Sequence, residues 1–538
     1  MNQHSGRKTE ESLQKFLQPC FLGFLIVFLM GYYSMFMIRE NPFSYSIDDP
    51  YIHMSIARNF SSYGVWGITP YGFTSSSSSP LYTLLLAGCF LLTGPWQYWP
   101  LVLNYVFAAL LLYRIQKLCE YFGLPRWQIV VTQAAICILT PLVLVVSTGM
   151  EHIMHAFLVF LLLEHLLHME TEPSLRNRIL LGVYCFLATA ARYETLFVIS
   201  VVSIWLLIRK RIVDLMISIC AALAPVIIFG AATLAFSGNI LPDSIRLKGN
   251  FRITEGFGFF FNDLITRILP RLNFYYYLKP LLGLLLVLLF FKTVTKHPKF
   301  LNLLFVLTLI VFALQIMFAD IGWKNRYEFY LVSLAMTLIC MKALPLISKS
   351  LHHKKYILIF GLLFFSFYFC IYDVFKYTRK GFKEITLCMD GVYVQNHQMA
   401  KFISLLPEDT CVAVNDIGAV TFFNPRLRIM DIWGLGTPEV ADLLISGDVT
   451  KEKMNRIAVS MGVEYAVVYR GKFEPLIPDE WVDVGMWHDV GFSATGGYNI
   501  YFCCANPNKL VFFRERFKRF SETQTIGVIT QVIELPPG

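Results

Sequence analysis

Two neighbouring carboxylates, Asp48 and Asp49, stand in the stretch Ser46-Ile47-Asp48-Asp49-Pro50-Tyr51-Ile52-His53 of a chain that is otherwise poor in charge. A carboxylate held beside a reacting hydroxyl can take its proton, so the pair suits general-base chemistry. Pro50 bears on which of the two is used. Asp is a good helix cap and Pro fits the first helical turn, which gives Asp49 a structural job. Asp48 has no such job and is the preferred base, with Asp49 as its partner or the cap. The helix expected from Pro50 to about Phe60 carries His53 on the face of Asp49 and Arg58 further along. Both are candidate substrate-binding residues.

Three more clusters could join them. Glu151 sits in Ser147-Thr148-Gly149-Met150-Glu151, where Thr148 and Glu151 have the spacing of a capping box. A capped helix start can also present its carboxylate to a cavity, so Glu151 is a candidate catalytic acid. His152 and His155 follow; two histidines and an acid can bind metal, although a packed polar role is the simpler reading. Arg192 and Glu194 interrupt the apolar run 179–208, and a broken helix at membrane depth normally lines a protein-buried cavity. Lys324 and Arg326 lie in Asp320-Ile321-Gly322-Trp323-Lys324-Asn325-Arg326-Tyr327, where cations could hold a lipid phosphate. Arg246, Lys248 and Arg252 repeat that signal more weakly. The chemistry suited to these groups is displacement at a sugar carbon bearing a lipid phosphate. An acid deprotonates the acceptor, and cations stabilise the departing phosphate.

The elements that must position them are membrane spans. Of 538 residues, 56% are hydrophobic and 15% charged, with mean hydropathy +0.55. Apolar stretches of about 17–25 residues are each long enough to cross a bilayer. The expected architecture is an all-α polytopic bundle of about eleven spans, placed near 19–38, 99–113, 128–147, 150–169, 178–191, 194–208, 212–236, 276–292, 300–319, 328–347 and 355–375. The first span is read as an uncleaved anchor. The run 80–94 is short and bounded by prolines, and is expected to lie at the outer surface. The net charge of +9 comes from Lys and Arg beside the spans, a topology signal that argues against a nucleic-acid partner. With the N-terminus cytoplasmic, every short inside loop is basic, and the loop 39–98 with its acids falls outside. Residues 376–538 alternate in short runs and are expected to form an extracytoplasmic α/β domain, with strands at 410–414, 464–469 and 499–503 and helices near 396–405 and 451–461. Ser75 to Ser79 reads as a flexible link, and Trp433, Trp481 and Trp487 as core or sugar-stacking residues.

The series resembles the GT-C membrane glycosyltransferases that use polyprenyl-phosphate sugars, and is most similar to their bacterial arabinofuranosyltransferase-like branch. The pieces that carry the resemblance are Asp48-Asp49-Pro50-Tyr51-Ile52 with Ala57-Arg58-Asn59, Gly72-Phe73-Thr74 leading to Ser79-Pro80-Leu81-Tyr82, Thr148-Gly149-Met150-Glu151, Arg192-Tyr193-Glu194, Asp320 to Tyr327, Asn415-Asp416-Ile417-Gly418 and Asp431-Ile432-Trp433-Gly434-Leu435. The serine run is longer than the family's Thr-Ser-Pro-Leu, and Arg192-Tyr193-Glu194 lacks its usual Pro. The resemblance implies a catalytic Asp in the first outer loop and a donor phosphate held by Arg192 and Arg326, with Lys324 in support. It leaves a divalent metal open and implies no other cofactor.

The expected activity is inverting transfer of a sugar from a polyprenyl-phosphate donor to a glycan, lipid or protein acceptor, at the bacterial inner membrane. A flippase of lipid-linked sugars would use the same cavity without chemistry. A glycan-binding scaffold would not need Asp48.

Overall fold

The computed structural model describes residues 18–171, 174–239, 242–248, 278–351, 372, 376, 379–381, 383–489, 499–523 and 528–533. Six described helices are long and apolar enough to cross a membrane: Pro19–Met37, Trp99–Tyr121, His152–Glu170, Ile212–Ser237, Pro298–Phe318 and Phe329–Lys349. Shorter apolar helices run at Pro80–Thr93, Arg126–Leu139, Thr195–Ile208 and Leu278–Leu289. The expected span 355–375 lies almost wholly outside the described residues, as does Arg252.

One expected span is reshaped by local chemistry, and one expected break is found. The run 128–147 is split into Arg126–Leu139 and Leu142–Ser147. Pro141 is the cause: it disfavours helix at Thr140, which is extended at φ −105°, ψ 159°. The run 179–208 breaks at Arg192, also extended, and resumes at Thr195. There the Thr195 hydroxyl donates to the Ala188 carbonyl at 2.8 Å, which satisfies one helix-end acceptor across the gap.

The C-terminal residues form a six-stranded mixed sheet in the order β2-β1-β3-β5-β4-β6. Its strands are β1 (Cys411–Val414), β2 (Arg428–Asp431), β3 (Val463–Tyr469), β4 (Val482–Asp489), β5 (Asn499–Cys504) and β6 (Val528–Val532). β1 runs parallel to β2 and β3, and the remaining pairs are antiparallel. Trp481 and Trp487 are buried core residues, and Trp433 packs edge-on against Phe473.

The two apolar cores interlock. Ile52, Ile56 and Ile68, between the first two membrane-length helices, pack into the core of the sheet, while Ala419 and Phe422 pack into the core of the bundle. That segment therefore stands between the membrane helices and the sheet and belongs to both. The serine run is no flexible link. Ser75, Ser76, Ser77 and Ser79 are buried, and their hydroxyls bond Asp243, the Leu435 carbonyl, Thr83 and the Tyr82 amide. A hydroxyl on every residue lets this segment run through a buried interface with its polar groups satisfied.

Candidate active site

The acidic helix spans Asp49–Tyr63. Asp48 occupies its capping position but makes no side-chain bond into it. Its carboxylate accepts instead from Gly418 N at 2.6 Å and Ala419 N at 2.9 Å, at the start of a short helix, Gly418–Phe423, packed beside it. Burial pushes the Asp48 carboxyl up to about 8, and Asp416 adds to the shift against the pull of the two amides. Asp49, the first helical residue, keeps a side chain 26% exposed and accepts from Arg326 Nη2 at 2.5 Å. The structural jobs expected for the two acids are thus exchanged.

Arg58 also departs from expectation. It is buried, and its Nη1 donates to the Thr421 and Phe422 carbonyls at 3.1 and 2.6 Å, at the other end of the same short helix. Burial lowers its guanidinium to about 10.

Glu151, Arg192 and Glu194 do come together. Arg192 Nη1 donates to Glu151 Oε1 at 2.5 Å, while Nε and Nη2 fork onto Glu194. Ser78 reaches Glu151 Oε1 at 3.3 Å, and His53 Nε2 lies 3.7 Å from Oε2. His53 is fixed by a 2.8 Å bond between Nδ1 and Thr83. His155 bonds Thr195 at 3.0 Å across the helix break, a packing role rather than a metal-binding one.

Tyr327 joins the two centres. The Arg192 and Arg326 guanidinium carbons lie 5.4 and 5.0 Å from its ring centroid, and the His152 ring lies 5.7 Å away. Arg326 leaves a turn in which Gly322, Trp323, Lys324 and Asn325 all have positive φ, at 85°, 37°, 63° and 56°. Left-handed backbone at non-glycine residues costs about 1–3 kcal/mol each and persists where surrounding contacts enforce it. Here Glu328 accepts from the Gly322 amide at 2.8 Å, and Lys324 Nζ lies 2.8 Å from Cys388 Sγ. Lys324 is thereby tied to Cys388.

Several buried polar atoms beside this junction have no hydrogen-bond partner among the described residues. They are Arg326 Nε and Nη1, both ring nitrogens of His152 and Glu151 Oε2. A buried polar atom left without a hydrogen bond costs about 1–3 kcal/mol, and the two Arg326 donors would be satisfied by a ligand that supplies acceptors. Among the described residues, no three His, Cys, Asp or Glu side chains gather in a way that could hold a metal ion.

Sequence reasoning missed Tyr327, Glu328 and Thr83. The first two directly follow Arg326, so an aromatic ring beside a membrane-level cation was the available signal. For Thr83 there was none, because its role depends on His53 lying across from it.

Within the sheet region, residues 384–502 match a family described as "Domain of unknown function (DUF8728)". No curated protein matches the sequence. Among solved structures, ArnT from Cupriavidus metallidurans bound to undecaprenyl phosphate aligns over 90% of this chain and 98% of its own, at 9% identity and TM-score 0.51. The same protein in the apo state gives 10% identity and TM-score 0.52 with the same coverage. The likeness is one of fold: a bundle of membrane-length helices that continues into a C-terminal sheet-containing domain.

Proposed function

We propose that the protein is a membrane glycosyltransferase that moves a sugar from a polyprenyl-phosphate donor to an extracytoplasmic glycan, lipid or protein acceptor. The observation that carries this reading is the Asp49–Arg326 pair, in which an accessible carboxylate meets a buried guanidinium whose Nε and Nη1 have no hydrogen-bond partner among the described residues. Orphaned cationic donors fit an anionic phosphate. The undecaprenyl phosphate bound to a protein of the same fold supports a lipid-phosphate donor.

Asp49 is the preferred base, because both carboxylate oxygens of Asp48 are engaged by amides. The acceptor oxygen attacks the anomeric carbon as its proton passes to Asp49. The carbon–oxygen bond to phosphate breaks, and polyprenyl phosphate leaves with the bonding pair. One displacement inverts the anomeric centre. Arg326 stabilises the charge building on the leaving phosphate, with Arg192 set beside it by Glu151 and Glu194. The setting proposed is a bacterial inner membrane with the N-terminus cytoplasmic and the sheet outside.

Purified protein in liposomes, given polyprenyl-phosphate sugars and acceptor glycans, tests this. Asp49→Asn is expected to lose about 10²–10⁴-fold in transfer, the usual worth of a positioned base. Wild-type transfer rate in Asp49→Asn would remove the base assignment. Movement of the donor between leaflets without its consumption would favour a flippase.

A further inference from the structure

We infer that Asp48 and Arg58 are positioning residues through which the C-terminal domain sets the Asp49–Arg326 geometry. This rests on the reading of Asp49 and Arg326 given above.

The acidic helix grips the short helix Gly418–Phe423 at both ends. Asp48 takes the Gly418 and Ala419 amides at its N-terminus, and Arg58 takes the Thr421 and Phe422 carbonyls at its C-terminus. An acid at the positive end and a guanidinium at the negative end match the charges that a helix exposes at its termini. Between them Ser55 bonds Thr421 at 2.9 Å, and Tyr51 bonds His397 at 2.7 Å. The fit leaves no slack: a Cβ on Gly418 would lie 2.3 Å from the Asp48 carbonyl oxygen.

Asp48 and Asp49 are consecutive, and they face opposite partners. One carboxylate holds the sheet domain and the next holds Arg326. Displacement of the short helix therefore moves the backbone that carries Asp49. Misplacement of a reacting group by about 1 Å can cost about 10²-fold in rate. The Arg326 turn has its own supports in the Glu328–Gly322 and Lys324–Cys388 contacts, and it meets the acidic helix through the Asp49–Arg326 pair, so a shift of that helix is felt at Arg326.

The test uses the full chain in lipid nanodiscs, with hydrogen exchange and transfer kinetics measured on the same preparations. Asp48→Asn and Arg58→Gln attack the grip from opposite ends, so the inference does not hang on one variant folding. In both, exchange is expected to quicken in 418–423 and also in 318–330, which holds the Arg326 turn. Transfer is expected to fall about 10- to 100-fold in kcat with little change in donor KM. Asp49→Asn should slow transfer while leaving exchange in 418–423 as in wild type. Unchanged exchange in 318–330 in a folded grip variant overturns the inference, as does quickened exchange with wild-type kcat. A wild-type protein that consumes no donor sinks the transferase reading, while the exchange linkage between the two segments is still read directly.

Discussion

Glu151 is fully buried, and its partner Arg192 is only 7% exposed. Neither charge has water to fall back on. Removing Glu151 leaves Arg192 with Glu194 alone, a loss that approaches but stays below that of a fully stranded buried charge, about 3–5 kcal/mol. Glu151→Ala is therefore expected to lower the thermal midpoint measured in lipid nanodiscs by many degrees. Glu151→Gln, which keeps an acceptor oxygen for Arg192, should lose distinctly less. Equal loss in the two variants would show that Arg192 does not depend on this carboxylate. The residue types at this site were legible in the sequence, because acids and arginines at the ends of spans are costly and stand out. Their partners were not. The Asp48 and Gly418 contact spans 370 residues and the Asp49 and Arg326 contact 277, distances over which spacing carries no information. The Asp-Pro step pointed to a cap, and a cap does form, but it is Asp48 that caps and the helix it caps is a different one.

At the scale of elements, two glycines separate close approach from mere flexibility. Gly418 faces Asp48 with no room for a methyl group, whereas nothing lies within 4 Å of a Cβ on Gly88 in the helix Pro80–Thr93. Gly418→Ala should destabilise by about 1–3 kcal/mol, the range of an overpacked contact. Gly88→Ala should stabilise by about 0.5–1 kcal/mol, because alanine gives up less backbone entropy in a helix. Unfolding midpoints that move the same way in both would refute this reading of the contact. His397 adds a pH term to the same junction. It is buried against Tyr51, Tyr393 and Phe423, and burial, with Arg39 nearby, lowers its ring to about 3. The unfolded chain takes up this proton near the ordinary histidine value and the folded chain refuses it. The stability contributed by neutral His397 is thus present above that value and is lost as pH falls toward about 3. Asp48 works with the opposite sign: its raised carboxyl gives stability that is full below the ordinary carboxylate range and is lost as pH climbs from there toward about 8. The histidine is isolated by comparison with His397→Gln, whose stability should fall less than wild type between pH 7 and 4. Parallel pH curves for the two proteins would exclude it.

For the whole molecule, apolar run length and the rise in charge beyond residue 376 were enough to foresee a helical bundle followed by a sheet-containing segment. Strands β1, β3 and β5 were legible as short runs of apolar and aromatic residues between turns. β2 and β4 were missed because polar and charged residues break their pattern, in Arg428-Ile429-Met430-Asp431 and in Val482-Asp483-Val484-Gly485, and β6 because it is a short edge strand. The orientation proposed above can be tested at the two ends of the bundle, where the charges segregate. Arg114 pairs with Glu164, Arg178 and Arg211 with Asp214, Arg209 with Glu170, and the Lys296 amide bonds the Phe122 carbonyl. These contacts gather the basic loops at one end, while Asp49, Glu151, Arg192 and Arg326 lie at the other end of the same helices. An excess of Lys and Arg marks the cytoplasmic side. A cysteine placed at exposed Ser446 on the sheet domain should therefore react with a membrane-impermeant maleimide in intact cells. One placed at exposed Arg176, in the first turn of the helix Leu175–Ala191, should react only after lysis, each scored against the unsubstituted chain. The reverse pattern would turn the bundle over and put the acids on the cytoplasmic face, where an acceptor outside the cell could not reach them.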